Sequence, residues 1–355
     1  MLPPEYTLDD PRLYRVETAD PLTLLRLCKE SITHFLHRYW QLHPGESLTS
    51  TFIAHVSSLA ISSTAIYTVL ALALLFTVLR YALQYAVGRW VHHHHVSPLV
   101  AHKISEAAWK LLYYGGIWAY VAVLHVDHLN TFRDPLIMWE GWESGKAPGY
   151  DMSVVVLYAI QTGFYVHSVW ATLYMDQWRQ DSIIMLLHHF VAVLLLALSY
   201  ADNYTLAGAL VFLLQDNSDA LLEFAKLCVY LKRRTNGDYY PLVDITGKVF
   251  LQLFAIIWMI FRLYWYPCKL LYATIYGGVY LGPQDSPVFP IIGGLLLLLY
   301  LLNVFWFNFI ARMCVRVLST GEDPEDNREY DTTALSGKSV SQRLKEIKTR
   351  KGKRD

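Results

Sequence analysis

The residues in this chain that could do chemistry sit inside its most apolar stretches. DSIIMLLHHFVAVLLLALSY (181–200) carries His188 and His189 side by side. YTLAGALVFLLQDNSDALLEFAK (204–226) carries Gln215, Asp216, Ser218, Asp219 and Glu223. Ionisable side chains in such segments are costly and default to a functional explanation. On a helix, spacings of three and four put Asp216, Asp219 and Glu223 on one face. His188 is seven residues from Asp181, and Asp219 is seven from Lys226. At a rise of 1.5 Å per residue, both lie about 10 Å in from the same end of their helices. His167, nine residues before Asp176, falls near the same level. The spacing predicts one cluster of His188, His189, Asp216 and Asp219.

Neutral imidazole is a general base or a nucleophile, and a nearby carboxylate fixes its tautomer and stabilises its charged form. Such a set suits acyl transfer. Two His and two Asp could equally hold a metal ion, relay protons in a transporter, or make plain structural hydrogen bonds. The residue types leave these readings open.

The elements that position these groups follow from composition. Of 355 residues, 54% are hydrophobic and only 17% charged, with a mean hydropathy of +0.27, against roughly 25% charged in a soluble domain. A soluble globular enzyme is excluded. Thirty basic against thirty acidic residues exclude a polybasic nucleic-acid binder, and no nucleic-acid partner is expected. Cys28, Cys228, Cys268 and Cys314 lie far apart, with no CxxC and no disulfide framework. A spanning helix needs about 20 mostly apolar residues. Spans are predicted near 58–79, 107–127, 151–174, 183–201, 204–224, 246–266 and 290–311. The fold class is therefore an all-α polytopic membrane protein of about seven transmembrane helices.

With the N-terminus lumenal, the segments 80–106, 175–182 and 225–245, the start of the sixth span and the tail hold 20 of the 30 Lys and Arg residues. The positive-inside rule thus predicts a lumenal N-terminus and a cytosolic C-terminus. The first 40 residues lack the short apolar core and cleavage site of a secretory signal, so the N-terminal region is expected to be retained. The tail from Arg312 has too little apolar content to fold alone. Its last five residues, Lys351-Gly352-Lys353-Arg354-Asp355, fit the KxKxx pattern of retrieval to the endoplasmic reticulum. His92-His93-His94-His95 reads as a solvated connector, and Trp139 and Trp142 as anchors at the membrane interface.

At this point the residues carry a resemblance. YVHSVWATLYMDQWRQDSIIMLLHHF, the SYADNY turn and LQDNSDALLEFAKLCVYL, within 150–231, resemble the longevity-assurance motif of the TLC domain in ceramide synthases. SEAAWKLLYY (105–114), FRLYWYPCKLLYAT (261–274) and REYDT (328–332) extend the likeness over most of 104–332. Only about 25 residues separate Arg80 from Ser105, too few for a homeobox-like region. The chain is thus most similar to the homeobox-lacking, ceramide synthase 1 type, which implies a preference for stearoyl-CoA. One position departs: the family's His-Asp is Gln215-Asp216 here, and Gln hydrogen-bonds without titrating.

The resemblance implies six helices in a TLC-type bundle around a central cavity. It divides the chain into a lumenal segment (1–57), a first span (58–79), a cytosolic linker without homeobox (80–104), the TLC domain (105–312) and a disordered cytosolic tail (313–355). It implies transfer of an acyl group from fatty acyl-CoA to the amine of a sphingoid base, sphinganine or sphingosine, in the endoplasmic reticulum membrane. Acyl-CoA is a substrate, and neither cofactor nor metal is expected. His188, His189, Asp216 and Asp219 are the implied catalytic set, with His188 as acyl carrier. His167, Tyr174, Asp176, Trp178, Arg179, Asp181, Gln215, Ser218, Glu223 and Lys226 are the implied substrate contacts, and Lys232-Arg233-Arg234 adds charge near CoA. The loop at 272–289 is expected to influence acyl selectivity. Membrane lipids and a homo- or heterodimeric partner of the same family are the other expected partners. The alternative is a non-catalytic TLC-domain protein for lipid sensing or transport.

Overall fold

A computed structural model describes residues 6–15, 21–59, 61–142, 151–283 and 286–320. The described residues are helical, with no strand. The helices are α1 (Pro21–Leu42), α2 (Leu48–Ser58), α3 (Ser63–His93), α4 (Pro98–Leu124), α5 (Met152–Tyr174), α6 (Ser182–Ala201), α7 (Thr205–Leu231), α8 (Pro241–Leu281) and α9 (Phe289–Thr320). Lipid offers backbone groups no partner, so a crossing segment must satisfy them within its own helix. Side chains mark where helices begin. Asp151 accepts from the Ser153 amide at 2.8 Å ahead of α5, and Pro98 and Pro241 stand in the first turns of α4 and α8. Asn203, in the left-handed region at φ 61°, reverses the chain between α6 and α7.

Five helices, α3, α5, α6, α8 and α9, are long and apolar enough to cross a membrane by length and composition. The other two predicted spans form α4 and α7, which carry the charge: Lys103, Glu106 and Lys110 on one, Asp216, Asp219, Glu223 and Lys226 on the other. These two pack along each other, and α8 and α5 also pack on α7. The charged side chains of α4 and α7 are thereby turned inward, while α4 keeps an exposed apolar side at Leu112 and Val123. The outward faces hold Leu70, Leu74, Ile183, Phe190, Ile256 and Leu301, all exposed, as lipid requires.

Several elements run past their predicted ends. The helix of the first span runs past 79: α3 continues to His93, because no breaker occurs before Pro98, and most of the expected linker 80–104 is helix. The exposed His92–His95 run closes α3 and turns the chain. The helix of the sixth span runs past 266 as well. From Met259 to Gly277 α8 takes up wide π-type turns and passes through Pro267, whose missing N–H cannot serve the ordinary pattern. The expected selectivity loop is thus helical up to Leu281. Residues 313–320 extend α9, and the rest of the expected tail, with REYDT and the retrieval pattern, lies outside the described residues.

Trp139 and Trp142 are not interfacial anchors. They are 3% and 2% exposed and form an aromatic core with Tyr204 and Phe289, and Trp139 Nε1 donates to the Ala273 carbonyl at 2.8 Å. The N-terminal helices cap this same end of the bundle. Phe35 and Tyr39 of α1 pack on Val279 and Phe289. His55 of α2 bonds Asp202 at 2.7 Å, a carboxyl whose pKa burial pushes up.

Helix spacing supplies one stability prediction. A Cβ built on Gly163 of α5 would stand 2.7 Å from Leu72 Cβ of α3, so these helices meet closely only because residue 163 lacks a side chain. Gly163→Val is expected to cost about 1–3 kcal/mol by overpacking, read as a lower thermal unfolding midpoint in detergent. An unchanged midpoint would contradict the close approach.

Candidate active site

Helices α4 to α9 enclose a cavity of about 750 Å³. Ten of the residues singled out in the sequence line it: His167, Asp176, Arg179, Asp181, His188, His189, Gln215, Asp219, Glu223 and Lys226. Below it, between α6, α7 and α9, lies a narrow apolar pocket of about 50 Å³ lined by Leu195, Leu196, Val211, Phe212, Leu296 and Leu299 and reaching Tyr204.

His188 and His189 stand with ring centroids 5.5 Å apart, and the Tyr165 ring is 6.1 Å from the first and 5.9 Å from the second. Nδ1 of each histidine is buried without a hydrogen-bond partner among the described residues. His167 is held differently: its Nδ1 pairs with Thr77 Oγ1 of α3 at 2.9 Å, and its Nε2 has no partner.

The acidic residues of α7 do not all face the same way. Gln215, Asp219, Leu222, Glu223 and Lys226 form the stripe that lines the cavity. Asp216 lies beside that stripe, 1% exposed, and its Oδ2 accepts from Gln161 Nε2 of α5 at 2.6 Å. Gln161 Oε1 in turn accepts from Tyr113 Oη at 3.0 Å. The expected face of Asp216, Asp219 and Glu223 is split because a partner on another helix claims Asp216. Neither Asp216 nor Asp219 hydrogen-bonds an imidazole. Asp219 Oδ2 pairs instead with Arg262 Nη2 at 2.7 Å. The carboxylates are engaged by neighbours, so the expected carboxylate-oriented imidazole is not assembled. Among the described residues no three His, Cys, Asp or Glu side chains come together as a metal site.

Three further expected contacts lie outside the cavity. Tyr174 is 67% exposed and its ring lies tilted against Trp170, centroids 4.3 Å apart, at the outer face of α5. Trp178 is 45% exposed. Ser218 is fully buried and donates to the Gln215 carbonyl at 3.2 Å. A hydroxyl spent inside the helix and two rings turned outward cannot line the cavity.

Two residues that sequence reasoning missed complete the cavity. Arg262 of α8 lies 4.0 Å over the Trp258 ring and donates to the Gln215 carbonyl at 2.5 Å and to Asn303 Oδ1 at 3.4 Å. An arginine inside an apolar span is itself the signal that could have found it. Trp306 of α9 donates to Asp181 Oδ2 at 2.9 Å, with its ring edge-on to His188 at 5.5 Å. A tryptophan N–H inside a bundle needs a buried acceptor, but the sequence does not say which.

At the end where α5 stops and α6 begins, the cavity is framed by a buried ion network. Lys110 bridges Glu106 and Asp176 at 2.8 Å each. Arg179 reaches Glu106 at 2.9 Å, and Arg80 reaches Asp176 at 3.2 Å. Lys226 pairs with Glu223 at 2.8 Å, and Lys232 with Asp244 at 2.8 Å. One end of the space is therefore charged and the other apolar, with the histidines between. The arrangement can hold an amphiphile whose reacting group stops at the histidines.

The sequence profile of the TLC domain matches residues 103–312. Ceramide synthase 1 of Mus musculus is 41% identical over 240 residues, covering 67% of this chain and 67% of that protein. Ceramide synthase 1 of Homo sapiens is 43% identical over the same shares. Ceramide synthase 4 of Homo sapiens is 32% identical over 234 residues, 65% of this chain and 55% of that one. The chain, with its helical bundle around a histidine-lined cavity, belongs to the ceramide synthase family of TLC-domain proteins.

Proposed function

We propose that this protein is an acyl-CoA-dependent sphingoid-base N-acyltransferase. It moves a long fatty acyl chain, stearoyl by preference, from CoA to the amine of sphinganine or sphingosine. The products are dihydroceramide or ceramide and free CoA. The observation that carries this is the position of His188 where the charged cavity meets the apolar pocket, in a chain of the ceramide synthase family.

An acyl-CoA matches that polarity. Its nucleotide and phosphates belong at the charged end, near Lys103, Arg179 and Lys226, sharing Arg179 with Glu106 and Lys226 with Glu223. Its acyl tail belongs in the apolar pocket, which follows α7 from Gln215 toward Thr205, about 15 Å at 1.5 Å per residue. At about 50 Å³ the pocket takes only the start of a chain, so a long tail enters as the α6 and α9 side chains part. With a lumenal N-terminus the charged end is cytosolic, where CoA stays in water. The protein works in the endoplasmic reticulum membrane, and a second ceramide synthase subunit completes a dimer.

The transfer runs in two steps. A His188 ring nitrogen attacks the thioester carbonyl, a C–N bond forms, the C–S bond breaks, and the thiolate takes up the proton the imidazole gives up. The sphingoid amine then attacks the acyl-imidazole, the amide C–N bond forms, and His188 is released with a proton taken from the amine. His189, beside it, takes and returns protons. Asp219 in its pair with Arg262 faces the substrate, whereas Asp216 acts from behind through Gln161. Neither metal nor cofactor has a part.

The test is an N-acylation assay on purified full-length protein with sphinganine and saturated acyl-CoAs from palmitoyl to hexacosanoyl, with products identified by mass spectrometry. Dihydroceramide, strongest with stearoyl-CoA, is the expected result. Folded protein that binds lipid and makes no amide would instead favour a TLC-domain lipid sensor or transporter.

A further inference from the structure

Tyr165, His188 and Gln215 are the side chains that line both the large cavity and the apolar pocket. They form the neck between the two. An acyl thioester with CoA on one side and its tail on the other has its carbonyl at this neck. When a nucleophile adds there, the carbonyl π pair moves onto oxygen. In a site shielded from water that charge needs a donor already in place.

Gln215 meets this requirement. The residue is 7% exposed, and its carboxamide oxygen is buried with no hydrogen-bond partner among the described residues, so no protein donor holds that oxygen in place. A carboxamide can turn to present either N–H or oxygen. Its backbone is held from two sides: the Gln215 carbonyl accepts from Arg262 Nη2 at 2.5 Å and from Ser218 Oγ at 3.2 Å. One turn along the same face, Asp219 is tied to the same guanidinium at 2.7 Å. The neighbouring Asp216 is committed to Gln161 and does not reach the neck.

We propose that Gln215 is a catalytic residue whose Nε2–H donates to the thioester oxygen as negative charge gathers on it. The inference rests on the N-acyltransferase reading above. In the addition step the C–N bond forms and the C=O pair moves to oxygen. In the collapse that pair returns, the C–S bond breaks, and the thiolate leaves with the proton given up by the nucleophile. Gln215 gives up no proton and stays hydrogen-bonded throughout. Where the family pattern has a histidine that can titrate, this chain keeps a donor that cannot.

The experiment compares wild type, Gln215→Leu and Gln215→His as full-length proteins, measuring kcat and KM with stearoyl-CoA and sphinganine. Binding of an unreactive stearoyl-CoA thioether, which has no carbonyl, reports whether the cavity is intact. Gln215→Leu is expected to lower kcat about 10²–10³-fold with thioether binding unchanged. Gln215→His, which restores a donor, is expected to recover most of that loss. Wild-type kcat in Gln215→Leu would overturn the proposal. So would parallel loss of turnover and thioether binding, or Gln215→His as slow as Gln215→Leu. A wild type that makes no amide while binding the thioether would overturn the N-acyltransferase reading, and this inference with it.

Discussion

His188→Ala is expected to reduce N-acylation about 10³-fold or more, because in the proposed two-step route the variant loses the group that carries the acyl chain. His189→Ala is expected to cost about 10²-fold, the contribution of a positioned proton acceptor and donor. The difference between two adjacent residues makes the prediction sharp. Both lie within one helical stretch of α6, so damage to the fold would lower both alike. Their side chains differ in place: His188 lines both the cavity and the apolar pocket, and His189 lines only the cavity. Initial rates with sphinganine and stearoyl-CoA measure the effect, with monodispersity and thermal midpoint as controls. His188→Ala retaining a tenth of wild-type turnover would remove His188 as acyl carrier.

The second large effect is expected at Arg262. Its guanidinium binds the Asp219 carboxylate, the Gln215 carbonyl and the Asn303 amide oxygen, over the face of Trp258. Arg262→Met keeps most of the volume and removes every one of these bonds. Asp219 then loses its ion-pair partner, and the α7 backbone loses its clamp. Activity is expected to fall about 10–100-fold, the scale seen when a supporting partner of a functional group is removed. Arg262→Lys keeps the charge but not the planar fork, so it is expected to fall between Met and wild type. The thermal midpoint should also drop, since breaking a buried pair is costly, though Asp219 retains 26% side-chain exposure and solvent softens the effect. Wild-type kcat in Arg262→Met would make the Arg262–Asp219 pair dispensable.

These two residues mark how far the sequence could be read. His188 and His189 were legible because two ionisable groups in an apolar run have no cheap structural explanation. The common depth of His167, His188 and Asp219 followed from helical rise alone, and all three line one cavity. Asp216 was not legible. Its spacing suits the same face as Asp219, and only Gln161, 55 residues away, decides that it turns toward α5. Arg262 and Trp306 reach the site across 43 and 125 residues, to Asp219 and Asp181. No local pattern carries such pairings.

The helices outrun the predicted spans for a different reason. Apolar windows show where lipid begins and ends, but α3 and α8 continue beyond it until a breaker or a turn stops them. Residue type alone places Trp139 and Trp142 at the interface, yet the described structure buries them against Tyr204 and Phe289. Burial of a large ring depends on what the α8–α9 end packs over it, which composition does not reveal.

The most direct measurement is the intact mass of the protein during a single turnover. Full-length protein is mixed with stearoyl-CoA without sphinganine, quenched in acid and weighed, and the modified peptide is sequenced. One stearoyl group on His188, chased into dihydroceramide when sphinganine is added and absent from His188→Ala, is the expected result. Complete turnover with no acyl adduct at any time would contradict the acyl-histidine route and leave His188 at most a base for direct transfer.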